Sequence, residues 1–146
     1  MNGLQQIINL CKAAGACKLI DSVESFPQLY TLAHTPQGRE FLLSKAAPIE
    51  RCKAFIDKEE AAKHAIYIDR GLVAPKPNQH HIIAIGDTQL FLSVKDLSCY
   101  VVTLLQGATA DIHADGWAVV CIEGDSQSRA NVEKSEHAIV FNSLCA

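Results

Sequence analysis

Tyr100-Val101-Val102-Thr103-Leu104-Leu105-Gln106-Gly107 and Trp117-Ala118-Val119-Val120-Cys121-Ile122-Glu123-Gly124 are the two stretches on which the fold turns. Each runs from an aromatic residue through β-branched and aliphatic side chains to a glycine. A looser copy, Gln79 to Ile85, precedes Gly86, and His137-Ala138-Ile139-Val140-Phe141 matches the pattern without the glycine. A strand-like unit returning about every twenty residues is the mark of a stacked array, in which no unit buries its apolar face alone.

The segments after each glycine alternate. Leu90, Leu92 and Val94 interleave with Phe91, Ser93 and Lys95. Ala110, Ile112 and Ala114 interleave with Asp111, His113 and Asp115, and Ser128, Ala130 and Val132 with Arg129, Asn131 and Glu133. One face is small or apolar and the other mostly polar, the period-2 pattern of half-buried strands. Two architectures fit. In a parallel solenoid each unit is one coil, with Leu92, Ile112 and Ala130 stacked in one interior row. In an antiparallel meander or sandwich, Gly86-Asp87 and Gly124-Asp125 are instead tight type II′ hairpin turns. The matched inward rows favour the solenoid. The middle copy is one residue out of phase with its glycine, which counts against an exact repeat.

Working back from Gln79, the period changes. Val73-Ala74-Pro75-Lys76-Pro77-Asn78 is extended and proline-punctuated, and Ala65-Ile66-Tyr67-Ile68-Asp69 reads as a short strand. Before them the spacing is helical. Leu4, Ile7, Ile8 and Cys11 share one face of a first helix that Gly15 stops. Ser22 or Ser25 caps a second carrying Phe26, Leu29, Tyr30 and Leu32. Thr35-Pro36 opens a third with Phe41, Leu42 and Leu43. Pro48 opens a fourth with Ile49, Cys52, Phe55 and Ile56, expected to fray through Asp57-Lys58-Glu59-Glu60. The chain therefore reads as α+β. A helical segment (1–64) leads through a strand and proline-rich connection (65–78) into a repetitive β unit (79–146). That unit is a short β-solenoid, a single-stranded β-helix of about three coils, with the helices packed on it or capping one end.

Composition is that of an ordinary globular chain: 49% hydrophobic, 20% charged, net charge −3. Residues 1–75 hold nine basic and eight acidic side chains, and residues 76–146 hold four and eight. The acidic β half argues against a nucleic-acid partner, since neutralising phosphates needs surplus Lys and Arg. No apolar run is long enough to cross a bilayer, and the start lacks the basic n-region of an export signal, so a cytoplasmic location is expected. The six cysteines (Cys11, Cys17, Cys52, Cys99, Cys121, Cys145) show no metal-site spacing and read as reduced, mostly small core residues. Cys145 is expected to be exposed and oxidisable.

Thr35-Pro36-Gln37-Gly38-Arg39-Glu40-Phe41, followed by Ala65-Ile66-Tyr67-Ile68-Asp69 and by Gly107 with Gly116-Trp117-Ala118-Val119-Val120, resembles a group of uncharacterised bacterial proteins. Members are common in gut bacteria, on phage or other mobile elements, and pair a helical N-terminus with a repetitive β C-terminus. The resemblance implies the same α+β arrangement and brings no catalytic or binding residues with it. This chain departs from the group in lacking a cysteine soon after Phe41.

Candidate sites are few. Asp111, His113 and Asp115 alternate, so all three face one side of a strand, at about 7 Å between successive members. They suit zinc or manganese, with His113 as a base, provided a neighbouring strand adds ligands. Against this stands an ordinary polar strand face. Phe91, Tyr100 and Trp117 would make an aromatic ladder over stacked coils, exposed for carbohydrate or protein, or buried as core. His137 takes the slot of Tyr100 and Trp117. His80 and His81 point to opposite faces and cannot chelate together, and local capping accounts for His34. No Gly-x-Ser-x-Gly, P-loop or activated cysteine is present, and no cofactor is implied. An enzyme is therefore the weaker expectation. The leading one is a non-catalytic interaction or assembly module, homo-oligomeric or bound to an unidentified protein, with no nucleic-acid or membrane partner. A small metal-dependent enzyme on the Asp-x-His-x-Asp strand and a carbohydrate-binding module are the alternatives.

Overall fold

The computed structural model describes residues 2–76, 78–135 and 137–144, so Cys145 lies outside the described residues. The chain divides into two compact units, Met1–His64 and Ala65–Ala146.

In the first unit, polar residues at the helix starts set the boundaries. Asn2 accepts the Gln5 N–H at 2.8 Å to open α1 (Gly3–Ala13). A single 3-10 turn, Lys18–Ser22, follows. Ser25 opens α2 (Phe26–His34), and Thr35, accepting from Gly38 at 3.1 Å, opens α3 (Pro36–Leu43). A Cβ on Gly38 would stand 2.0 Å from the Leu32 carbonyl oxygen, so only glycine lets α3 start this close to the end of α2. The fourth helix is shorter than the spacing predicts. α4 (Ile49–Lys53) stops before Phe55. The stretch expected to fray instead starts a fifth helix, α5 (Lys58–Lys63), because the Asp57 carboxylate accepts the N–H groups of Glu59 and Glu60 at 2.9 and 3.3 Å. His34 is more than a local cap: its Nε2 reaches the His64 carbonyl at 2.7 Å. Ile7, Ile8, Cys11, Ile20, Val23 and Cys52 form the buried cluster that these helices share.

The second unit is a parallel β-solenoid. Among the described residues nine strands, β1 (Ile66–Ile68), β2 (Gly71–Val73), β3 (His81–Ile85), β4 (Thr88–Val94), β5 (Cys99–Leu105), β6 (Thr109–Ala114), β7 (Val119–Gly124), β8 (Arg129–Lys134) and β9 (Ile139–Asn142), fall alternately into two sheets. The odd strands make a five-stranded sheet and the even ones a four-stranded sheet, in chain order. Every pairing is parallel, which excludes the meander and sandwich. Gly86 and Gly124-Asp125 are therefore not hairpin turns. Each lies where the chain leaves one sheet for the other, and at Gly86 a φ of +71° makes the corner. About four coils are present rather than three: the short strand expected at 65–69 forms as β1, and with β2, in the stretch expected only to connect, it makes a first coil on β3 and β4.

The register corrects the interior rows. Leu90, Ala110 and Ala130 stack on one another, and Leu92 stacks on Ile112 and Val132, so Ala130 is not in the Ile112 row. From β3 onward, partners on neighbouring coils are offset by twenty positions, as in Val102 on Ile122. The glycines do not follow this offset because they do different jobs. Gly107 (φ +88°) makes a corner. Gly124 instead sits within β7 opposite Leu104, where a Cβ would stand 2.6 Å from the Leu104 carbonyl oxygen. Tyr100, Val102 and Leu104 point inward from β5, and Leu90, Leu92 and Val94 from β4. All six are buried, and the core lies between the sheets.

Candidate functional site

Strand alternation leaves the odd-numbered residues of β5, β7 and β9 on the outer side of the five-stranded sheet. Cys99, Val119 and Ile139 form one row across the three strands, and Val101, Cys121 and Phe141 form the next. Neighbouring strands lie about 4.8 Å apart, so the six side chains are contiguous. No Lys, Arg, Asp or Glu interrupts either row. Ile139 and Phe141 are 50% and 61% exposed, and the turns beside this face expose Leu97 and Trp117 at 83% and 61%. The solvent-facing apolar surface is on the order of 500 Å2, the size at which a patch on a soluble domain usually has a partner. The other end of the same sheet is closed: Ile83, Thr103 and Leu105 are fully buried although they alternate with the inward residues.

The expected aromatic ladder does not form from Phe91, Tyr100 and Trp117, because they belong to different parts of the coil. Phe91 stands outside the four-stranded sheet, in register with Asp111 and Asn131. Tyr100 is buried, stacks on His80 with ring centroids 4.6 Å apart, and donates its hydroxyl to Asp96 at 3.0 Å. Burial, and then the Asp96 carboxylate, push the Tyr100 hydroxyl pKa up. Trp117 lies in the turn before β7 and stacks on His137 at 4.4 Å. These two stacks join residues twenty apart, so His137 occupies the Trp117 slot but not the Tyr100 slot. The His137 ring covers one face of the indole.

Asp111 and His113 lie on the outer face of the four-stranded sheet, but β6 ends at Ala114 and Asp115 stands just beyond it, so the three do not share one strand face, and each has a different partner. Asp111 accepts from Asn131 at 3.2 Å, and His113 Nδ1 stands 3.2 Å from Glu133 on the next coil. Asp115 accepts the Gly116 N–H at 2.8 Å, and that bond holds its carboxyl below the usual aspartate range. Ligands on a zinc or manganese ion must lie within about 2.2 Å of it. Residues spread along a strand and into the connection after it do not meet that demand together. Among the described residues no group of three or more His, Cys, Asp or Glu is placed to hold a metal ion.

The open face was not singled out by the sequence reading. Its signal was the parity of the strands: with Tyr100 and Val120 inward, Val101, Val119, Cys121, Ile139 and Phe141 must face out, and all are apolar. Among the described residues no helix is long and apolar enough to cross a membrane. Compared with known proteins, the chain matches no protein-family model, no curated protein and no solved structure.

Proposed function

We propose that the chain is a non-catalytic assembly module whose solenoid self-associates through the outer face of the five-stranded sheet. The observation that carries this reading is the pair of uncharged rows, Cys99-Val119-Ile139 and Val101-Cys121-Phe141, at the open end of that face. A flat apolar strip costs free energy when wetted, and the regular spacing of its rows makes it complementary to a copy of itself. Two copies meeting there would bury about 1,000 Å2 in all, the lower bound for a specific interface. The free thiols of Cys11, Cys17, Cys52 and Cys99 fit a reducing, cytoplasmic setting. The resemblance to bacterial proteins of mobile elements is compatible with such a role and adds no residue to it.

The alternatives have less support. A sugar would need the aromatic residues side by side, whereas Tyr100 is buried and the exposed Phe91 and Trp117 lie on different parts of the coil. The metal reading needs ligands that converge, and Asp111, His113 and Asp115 are engaged separately. Analytical ultracentrifugation of the untagged chain across the micromolar range tests the assembly reading. A reversible shift from monomer to a closed oligomer is expected. A single monomeric species at every concentration would overturn it.

A further inference from the structure

The helical unit contains a pair of thiols that take no part in the assembly face. Cys11, in the last turns of α1, and Cys52, on α4, are buried in the same apolar cluster. Their side chains are hydrogen-bonded to each other. Cys11 also forms part of the wall of an open pocket of about 550 Å3 whose other lining includes Leu29, Leu32 and Phe41. A molecule as small as hydrogen peroxide fits that space with room to spare. The thiols are thus in contact with each other, and one of them is reachable.

We propose that Cys11 and Cys52 form an oxidisable dithiol, which a peroxide entering through this pocket converts into a disulfide joining α1 to α4. The Cys11 thiolate attacks one peroxide oxygen, the O–O bond breaks, and the departing oxygen leaves as water once protonated. Cys11 then carries a sulfenic acid. The Cys52 sulfur attacks the Cys11 sulfur, the S–O bond breaks, and the oxygen leaves as a second water with the Cys52 proton. In total the two thiols lose two hydrogens and one peroxide is reduced to two waters.

The roles follow from the contact. The hydrogen bond from Cys52 holds the Cys11 thiol below its usual range, which favours the attacking thiolate there. The same contact, and then burial, push the Cys52 thiol up, and Cys11, not Cys52, lines the pocket through which the peroxide arrives, so Cys11 attacks and Cys52 resolves. Moving from hydrogen-bond contact to a sulfur–sulfur bond of about 2.05 Å is a displacement of rotamer scale.

The test uses the full wild-type chain, treated with limiting hydrogen peroxide, alkylated after denaturation and mapped by peptide mass spectrometry. The expected product is a Cys11–Cys52 crosslink lighter by two hydrogens (about 2 Da) and reversed by dithiothreitol. A second measurement uses Cys52→Ser, in which Cys11 should accumulate as a sulfenic acid that dimedone traps. Recovery of both Cys11 and Cys52 as alkylated thiols while the exposed Cys17 and Cys99 have oxidised would overturn the proposal. Pairing of Cys11 with Cys17 would overturn it equally, and neither result depends on a variant folding.

Discussion

Replacing Phe141 with serine tests the assembly face where it is most exposed. Phe141 is 61% exposed, so of the roughly 200 Å2 that a phenylalanine can bury, about 120 Å2 is left for a partner to cover. At about 25 cal/mol per Å2 that is about 3 kcal/mol for each copy of the residue in an interface. If the contact is isologous, both copies lose it and association weakens by about 6 kcal/mol, or about 20,000-fold in Kd. If it is head-to-tail, one copy is lost per interface and the change is about 150-fold. Sedimentation-velocity isotherms of wild type and Phe141→Ser measure the difference and so report the symmetry as well. The control is Leu72→Ser, because Leu72 is 71% exposed but lies on β2 of the other sheet. Its association constant should match wild type. The reasoning is refuted if Phe141→Ser associates as tightly as wild type, or if Leu72→Ser weakens assembly as much. A melting curve of the dilute variant separates loss of association from loss of fold.

Other expectations follow from single sites. Gly116→Ala places a Cβ 2.5 Å from the Lys95 carbonyl oxygen at a φ of +58°, whereas Gly107→Ala at +88° meets nothing within 4 Å. Gly107→Ala should therefore cost about 1 kcal/mol and Gly116→Ala at least twice that, by chemical denaturation. Equal costs would show that the Lys95 carbonyl yields. The Asp96 carboxyl is held below its ordinary value of 3.8, chiefly by the Ser98 hydroxyl and also by that of Tyr100, and Asp115 is lowered by the Gly116 N–H. Folded values below unfolded ones mean that their stabilisation is complete above pH 3.8 and is lost as pH falls through the folded values. Denaturation midpoints should fall there, and the double variant Asp96→Asn, Asp115→Asn should flatten the fall; an unchanged slope would count against it. His113→Ala removes only an exposed pairing with Glu133 and should shift stability by less than about 0.5 kcal/mol. A larger loss would mean that the outer face of the four-stranded sheet has a structural role.

The residues themselves determined much of this protein, wherever the cause is local. Asn2, Ser25 and Thr35 cap their helices as their side chains dictate, and the aromatic-Val-Val stretches become strands of a solenoid because they cannot bury their apolar faces alone. Asp57 was equally legible as a cap, yet the charge run after it masked a helix start. Tertiary structure decided everything that depends on phase. Counting from glycine to glycine misplaced Ala130 and put Tyr100 in the Trp117 slot, because a corner glycine such as Gly107 and an in-strand glycine such as Gly124 look alike in one dimension. Backbone hydrogen bonds between coils set the true offset of twenty positions. That offset buries Tyr100, separates it from Phe91 and Trp117, and leaves Ile139 and Phe141 facing water. Strand alternation is legible in a sequence, but which parity faces the solvent is decided only when the second sheet closes over the first.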